Sequence, residues 1–358
     1  MVEVQAISLT IEKDCLEALE WIESNGLLAD ACITDPPYEL RFLGKDWDGS
    51  GISFDVETWK AVYRVLKPGA YLAAFGATRL YHRMAVAIED AGFEIKDSLC
   101  WLHGQGFPKN RKTQLKPGWE PIVLARKAGP SIMNVDDARV PLGDGETKDT
   151  FAGTKGPNNA LFGPQKTNEM VKTTEGRWPA NVVTDGSEAV DGEFPVTKAA
   201  GGTYDKSQKG GVIFPARGGL THNIGGEGPT SRFYYQAKPS PTEREAGLSH
   251  LPKVKGRHNT HTTVKSIELM RWLVRLLVPK GGMVIDPFLG SGTTAIAAVM
   301  EERRVCGIER EAEYMAIARA RIDWWTAQCR VRPGCSVAEI LGDMPKVVER
   351  GERQLNLL

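Results

Sequence analysis

Two adjacent prolines near the N-terminus restrict this chain more than any other feature. Leu27-Leu28-Ala29-Asp30-Ala31-Cys32-Ile33 is an apolar run with the length of a buried strand, and Thr34-Asp35-Pro36-Pro37-Tyr38 follows it directly. Neither proline has an N–H to give to a sheet, so a central strand has to stop at Asp35. Each ring fixes its own φ and pushes the residue before it towards extended geometry. The sequence therefore predicts a stiff turn at the carboxyl edge of a sheet, where open α/β sheets bind their ligands. That turn carries one carboxylate, proline-flanked carbonyls that no amide opposes, and the Tyr38 ring. The group suits a planar ring bearing an amino group: Asp35 and a carbonyl accept its two N–H hydrogens, and Tyr38 stacks on its face. A Pro-Pro turn with Tyr38 merely packed is the plainer reading, and a second motif late in the chain weighs against it.

Residues 1–127 alternate between strand and helix spacing. A helix across Leu16, Leu19, Trp21 and Ile22 leads into the Asp35 strand. A Gly- and Asp-rich loop over 44–51 comes next, then a helix across Trp59, Val62, Tyr63 and Leu66 that Lys67-Pro68-Gly69 stops. Ala70–Phe75, Glu94–Leu102 and Trp119–Ala125 read as strands, and 79–91 as a helix ended by Gly92. After 260 the alternation returns. Val264–Val278 has helical spacing, Met283–Ile285 reads as a strand, Thr293–Met300 as a helix, Arg304–Ile308 as a strand and 311–328 as a long helix. This order predicts an α/β fold, a mostly parallel sheet with helices on both faces.

From about 128 to 235 the chain is rich in Gly, Pro, Thr, Asn and Lys, with Gly201-Gly202, Gly210-Gly211, Gly218-Gly219 and Gly225-Gly226 among its paired glycines. Little regular structure is expected there, and so long an irregular stretch is rare in a compact domain unless it is functional. It is read as an inserted recognition region that orders fully on its partner. The boundaries expected are 1–127 for a first catalytic half, 128–259 for the inserted region, 260–330 for a cofactor-binding half and 331–358 for a tail.

With 358 residues the chain can bury a sizeable core. Its 45 basic and 45 acidic residues cancel, which argues against a general polyanion binder and shifts attention to local charge. Lys109, Arg111, Lys112, Lys116, Arg126 and Lys127 face only Glu120 in one segment; Lys238, Arg244, Lys253, Lys255, Arg257 and Lys265 dominate another. The two segments suit a phosphate-contacting face, or ordinary solvated surface. No apolar stretch approaches the ~20 residues of a membrane span, and the N-terminus lacks a basic-then-apolar pattern. A cytoplasmic protein with no membrane partner is expected. Cys15, Cys32, Cys100, Cys306, Cys329 and Cys335 are scattered with no C-x-x-C pair, so reduced structural thiols are expected and no metal site.

The second motif is Asp286-Pro287-Phe288-Leu289-Gly290-Ser291-Gly292-Thr293-Thr294, between a strand and a helix. Gly290 and Gly292 let the backbone turn tightly and approach a ligand with no Cβ in the way. Asp286 ends its strand at the same edge as Asp35. The next strand ends in Gly307-Ile308-Glu309, where a βαβ nucleotide site bonds a ribose diol. The loop has no Gly-Lys-Ser/Thr, so it is no P-loop. Asp286 would repel a pyrophosphate but suits an ammonium, so an adenosine carrying a sulfonium and an amino-acid tail fits better than NAD.

The Asp-Pro-Pro-Tyr turn, the Phe288-x-Gly290-x-Gly292 loop and Thr262-Thr263-Val264-Lys265-Ser266 just upstream of that loop resemble the amino-group DNA methyltransferases. Their order, catalytic motif first and cofactor loop last, is that of the permuted β class. Trp178-Pro179-Ala180-Asn181 and Ser231-Arg232-Phe233-Tyr234-Tyr235 are similar to stretches of site-specific methylases of phages and bacteria. The likeness spans residues 10–325. It implies a Rossmann-like S-adenosylmethionine-dependent methyltransferase fold with an inserted, irregular target-recognition region. Asp35, Pro36, Pro37 and Tyr38 would form the catalytic turn. Asp286, Pro287, Phe288, Gly290, Ser291, Gly292 and Thr293 would surround the methionine part of S-adenosyl-L-methionine, and Glu309 would hold its ribose. Thr263 and Lys265 match the family's segment beside that pocket, although the family has Pro where Thr263 and Ser266 stand here. Asp14 is either a contact to the adenine ring or a solvated acid.

The resemblance also implies double-stranded DNA as substrate. Lys109, Arg111, Lys112 and Lys238 would contact phosphates; Arg232, Tyr234 and Tyr235 would grip an opened strand, or else pack on the catalytic domain. A homodimer and a cognate restriction endonuclease are the protein partners it leaves open. The implied reaction is direct methyl transfer to an exocyclic nitrogen of a base turned out of the duplex, at a cost of roughly a few kcal/mol that stacking on Tyr38 partly offsets. Asp before Pro-Pro-Tyr resembles the adenine-N6 branch, and Ser the cytosine-N4 branch. No cysteine here follows a proline, as a carbon-5 enzyme would need; a protein-glutamine methylase usually has Asn at position 35. A non-catalytic nucleic-acid-binding module and a nucleotide-binding oxidoreductase are the rivals from other classes. His103, His222, His250, His258 and His261 are read as surface or recognition-region residues rather than catalytic bases.

Overall fold

The apolar run before the prolines does form a strand, Ala29–Thr34, and pairing stops one residue before Asp35. The computed structural model describes residues 8–40, 46–103, 115, 117–130, 133–142, 148–159, 163–173, 175–187, 190, 192, 194–199, 202–205, 220–223, 226–229, 234–237 and 240–342. In chain order the strands are β1 (Ser8–Glu12), β2 (Ala29–Thr34), β3 (Leu66–Phe75), β4 (Glu94–Leu102), β5 (Trp119–Arg126), β6 (Lys148–Asn159), β7 (Gly163–Thr173) and β8 (Val182–Thr184). Then follow β9 (Val196–Ala199), β10 (Gly202–Asp205), β11 (Leu220–Asn223), β12 (Gly226–Pro229), β13 (Tyr235–Gln236), β14 (Met283–Asp286) and β15 (Arg304–Glu309).

The main sheet has the order β1-β15-β14-β2-β3-β5-β4-β8-β13. Pairing is parallel from β1 through β15, β14 and β2 to β3, antiparallel on both sides of β5, and parallel again between β4 and β8. Helices Cys15–Ser24, Val56–Arg64 and Tyr81–Asp90 share one apolar cluster with Cys32, Leu72, Ala74, Val123, Ala125, Ile285 and Cys306. The intervening strand residues Ala31, Ile33, Ala73, Leu124, Val284 and Val305 are equally buried. Strand side chains alternate between faces, so burial of both sets means that both faces are covered. Helix Ile267–Leu277, whose Trp272 Nε1 donates to the Ala138 carbonyl at 3.0 Å, packs against helix Thr293–Met300, which packs in turn against Ala312–Val331. The helix starts are locally encoded: Asp14 accepts the Leu16 N–H at 2.9 Å and Asp55 the Glu57 N–H at 3.1 Å. Burial pushes the Cys15 and Cys306 thiols up to about 12, which makes both packing groups. No helix among the described residues is long and apolar enough to cross a membrane.

Two features differ from expectation. Lys67-Pro68-Gly69 lies inside β3, not in a turn before it. The helix ends at Arg64, and the β2–β3 register jumps from Ala29 opposite Leu66 to Ala31 opposite Tyr71. Pro68 and Gly69, the latter at φ 80°, occupy that irregularity, and the Gly69 N–H bonds Ala128 O instead of a strand partner. The middle of the chain also has more regular structure than its composition suggested. Contacts divide the chain into one unit of Met1–Ala138, Asn181–Val190 and Gln236–Leu358, and a second of Arg139–Ala180 and Asp191–Tyr235. In the second, β6 pairs with β7, β9 with β12 and β10 with β11, all antiparallel. Such ladders are made by backbone groups and need no periodic apolar side chains, so hydropathy gave no sign of them.

Candidate active site

β2 and β14 are parallel neighbours with Cys32 opposite Ile285, so Asp35 and Asp286 finish at one sheet edge. From this pair the chain runs on to β3 on one side and to β15 on the other. The strand order reverses there, and a crevice opens at the carboxyl ends. It contains a cavity of about 800 Å³, lined by Asp35, Tyr38, Lys265, Asp286, Gly290 and Glu309 among others.

On one wall, Lys265 binds two carboxylates. Its Nζ lies 2.8 Å from Asp35 Oδ2 and 3.2 Å from Glu120 Oε2, and it donates to the Tyr38 hydroxyl at 3.0 Å. That hydroxyl donates in turn to Glu120 Oε2 at 2.9 Å. The side chains are 7% (Lys265), 17% (Asp35) and 24% (Glu120) exposed, so these charges interact with little solvent between them. Burial pushes the Asp35 carboxyl up from its ordinary value, against the pull of Lys265. Burial alone would lower Lys265, but Asp35 and Glu120 hold it above its ordinary value, so it stays protonated. Burial likewise raises Glu120, yet Lys265 and the Tyr38 hydroxyl outweigh it and keep that carboxyl low. Asp35 Oδ1 is buried with no hydrogen-bond partner among the described residues. A buried carboxylate oxygen left this way needs a donor, and Asp35 lines the cavity.

On the other wall, Asp286 fastens the two motifs together. Its Oδ1 accepts the Thr34 hydroxyl at 2.6 Å and the Phe288 N–H at 3.1 Å, and Oδ2 accepts the Thr294 hydroxyl at 2.6 Å. Burial nevertheless pushes its carboxyl up to about 6, with these bonds acting downward. Glu309 closes the glycine loop: Oε2 accepts the Gly290 N–H and Oε1 the Glu311 N–H, both at 2.8 Å. Arg321 holds the loop from behind. It is wholly buried, and its Nη1 donates to the Ser291 carbonyl at 2.6 Å and the Ser291 hydroxyl at 3.0 Å. If Asp286 holds the ammonium of a ligand, affinity should weaken as pH falls through about 6, because protonation removes the charge. Titration calorimetry with S-adenosylmethionine between pH 5 and 8 checks this; Asp286→Asn should bind more weakly and lose the step, and a step that persists would assign it elsewhere.

Every residue that the sequence offered for catalysis or cofactor binding lines this cavity except Gly292, including Asp14, Pro36, Pro37, Thr263, Pro287, Phe288, Ser291 and Thr293. Gly292, at φ 85°, caps the following helix. Asp14 sits at a helix N-cap just beyond β1. Lys109, Arg111, Lys112, Arg232 and Lys238 lie outside the described residues. The Tyr234 ring packs edge-on against Phe194 at 5.2 Å, and Tyr235 begins β13. Two cations of the first basic segment are not a phosphate face: Arg126 pairs with Glu94 at 2.7 Å, and Lys127 Nζ donates to the Tyr63 and Leu66 carbonyls. His261 is no remote surface residue either. It lines the cavity beside Gly290 and packs edge-on against Tyr314 at 4.7 Å. Glu120, Thr34, Thr294 and Arg321 are the site residues sequence reasoning missed. Of these, Thr34 and Thr294 stand inside the two motifs without a role of their own, Glu120 is the lone acid of a basic segment, and Arg321 has no local signal.

A family model described as DNA methylase, of the N6/N4 type, matches residues 29–320. The chain belongs to the N6/N4 DNA methylase family. The type II methyltransferase M.HpaI of Haemophilus parainfluenzae is 22% identical over 87% of this chain and 72% of its own length. M.HindIII of Haemophilus influenzae is 24% identical over 75% and 68%. The type II methyltransferase M.BglI of Bacillus subtilis is 36% identical, but the match spans only 22% of either protein. For the similarly local relatives M2.DpnII and M2.MboI it spans 26% and 30% of their lengths. Among solved structures, the M1.HpyAVI–SAM complex aligns with a TM-score of 0.47 at 20% identity, covering 88% of this chain and all of that one. The cytosine-N4-specific PvuII DNA methyltransferase aligns at 0.49 and 14% identity, covering 93% and 89%.

Proposed function

We propose that this chain transfers a methyl group from S-adenosylmethionine to the N6 amino group of an adenine turned out of double-stranded DNA. The observation that carries the reading is the unsatisfied Asp35 Oδ1, set in one cavity with the Asp286–Thr293 loop and Glu309. The residues fit the donor. A carboxylate suited to an ammonium stands at Asp286, a second suited to a ribose diol at Glu309, and between them Gly290 leaves a cradle that a Cβ would fill to within 2.8 Å of His261 Nε2. When bound, the donor supplies a methyl on a sulfonium, activated enough that no covalent enzyme intermediate is needed.

The protein's part is alignment and charge. An exocyclic amine conjugated to its ring is a poor nucleophile. By accepting its hydrogens, Asp35 Oδ1 and a carbonyl of the Pro-Pro turn draw the nitrogen towards tetrahedral geometry and face the positive charge that develops on it. Lys265 occupies Oδ2 and leaves Oδ1 to the substrate. Tyr38, with its hydroxyl held by Lys265 and Glu120, offers its ring to the base. The second unit, with the basic segments beside it in sequence, is the proposed target-recognition region.

Adenine is preferred over cytosine because Asp, not Ser, precedes Pro-Pro-Tyr. The test is to incubate the purified protein with methyl-tritiated S-adenosylmethionine and DNA from a methylation-free host, then digest the DNA to nucleosides. Label in N6-methyldeoxyadenosine is the expected result. Label in N4-methyldeoxycytidine would move the assignment to the other amino group, and unlabelled DNA would favour a binding module.

A further inference from the structure

We propose that Glu120, on β5, is a positioning residue for the reaction: through Lys265 and Tyr38 it leaves the buried cluster with one net negative charge facing the target amine. The inference rests on the methyl-transfer reading above. Asp35 and Glu120 bring two negative charges, Lys265 one positive, and Tyr38 none. With Asp35 as its only partner, Lys265 at 2.8 Å would form a neutral pair, and Asp35 would be a weak acceptor for an amine becoming cationic. Glu120, 3.2 Å from the same ammonium, shares that charge and so returns electron density to Asp35. The cluster that results is complementary to the transition state and not to the neutral amine.

Geometry supports a designed contact. Glu120 comes from the antiparallel strand two places away from β2 in the sheet, and its Oε2 takes both the Tyr38 hydroxyl and the Lys265 ammonium. One oxygen thereby fixes the direction of the Tyr38 ring and the position of Lys265. The charged and titratable groups facing Asp35 are Lys265, Glu120, Tyr38 and, from β14, Asp286; His103 Nε2 faces Glu120 Oε1 at 3.7 Å.

The test compares Glu120→Gln, Glu120→Asp and Lys265→Met with the parent, using tritiated S-adenosylmethionine and plasmid DNA from a methylation-free host. Glu120→Gln should lower kcat roughly ten- to a hundredfold, with KM for DNA and donor affinity within about twofold. Loss of the Glu120 charge lowers Asp35, so the acid limb of the kcat–pH profile should move to lower pH. Loss of Lys265 raises Asp35, so its limb should move to higher pH. Glu120→Asp keeps the charge and should restore the limb towards its original place. Opposite movements of this kind do not follow from general loosening of the site. An unmoved limb and unchanged kcat in Glu120→Gln, with Asp35→Ala inactive, overturn the inference and leave the function standing. A Glu120→Asp profile like that of Glu120→Gln overturns it as well. Turnover by Asp35→Ala overturns both the inference and the function.

Discussion

Asp35→Ala should remove methyl transfer to DNA by at least about a thousandfold while S-adenosylmethionine binds within about threefold of the parent. Two facts separate these effects. The residues proposed above to fit the donor, Asp286, Gly290 and Glu309, are on β14, the glycine loop and β15, and the loop is held by Glu309 and Arg321 without help from Asp35. Asp35 contributes instead the one buried carboxylate oxygen that has no hydrogen-bond partner among the described residues. Its loss also leaves Lys265 with Glu120 alone, which turns a cluster of net charge minus one into a neutral pair at the place where the amine becomes cationic. Single-turnover kinetics together with calorimetry read both halves of the prediction. Normal turnover would remove Asp35 from the mechanism; loss of donor binding would make it part of the cofactor site.

Gly290→Val should have the second largest effect and act on the other substrate. Gly290 sits at φ 55°, a conformation that costs a side-chain-bearing residue roughly 1–2 kcal/mol and a branched one more. Its added Cβ would lie 2.8 Å from His261 Nε2 and 3.1 Å from Cε1, so the imidazole must move into the cavity or the loop must shift. The Glu309–Gly290 bond of 2.8 Å shifts with it. Donor affinity should fall by roughly a hundredfold, about 2.7 kcal/mol. Gly281→Ala is the control. Gly281 has φ 69° and open space around the position of its Cβ, so it suffers the backbone cost alone and lies outside the cavity. It should lose some stability and no donor affinity.

The parts of the site that were legible in the sequence are those whose physics is local. Two prolines after an apolar run end a strand wherever it is placed, and Asp286 with Gly290 and Gly292 marks a strand-to-helix turn by itself. Parallel packing then puts both at one edge, and the register of Cys32 with Ile285 bears that out. The illegible parts depend on partners far away in sequence. Tyr38 meets Glu120 across 82 positions and Lys265 across 227, and Thr34 meets Asp286 across 252. No spacing rule connects such residues, so Lys265 could be read only as a neighbour of the cofactor loop. Strand direction is not visible locally. Trp119–Ala125 reads as a strand, but the stretch 103–118 before it is long enough for a parallel crossover, so its antiparallel return leaves no mark in the sequence. In the second unit the ladders are carried by backbone groups among glycines, which composition reads as loop.

The most direct test of the whole account is a crystal structure with sinefungin, in which an ammonium-bearing carbon replaces the sulfonium and its methyl. The ribose should lie on Glu309, the amino-acid tail towards Asp286 and the extra ammonium directed at Asp35 Oδ1. Sinefungin bound elsewhere on the sheet, or bound with that ammonium turned away from Asp35, would contradict it.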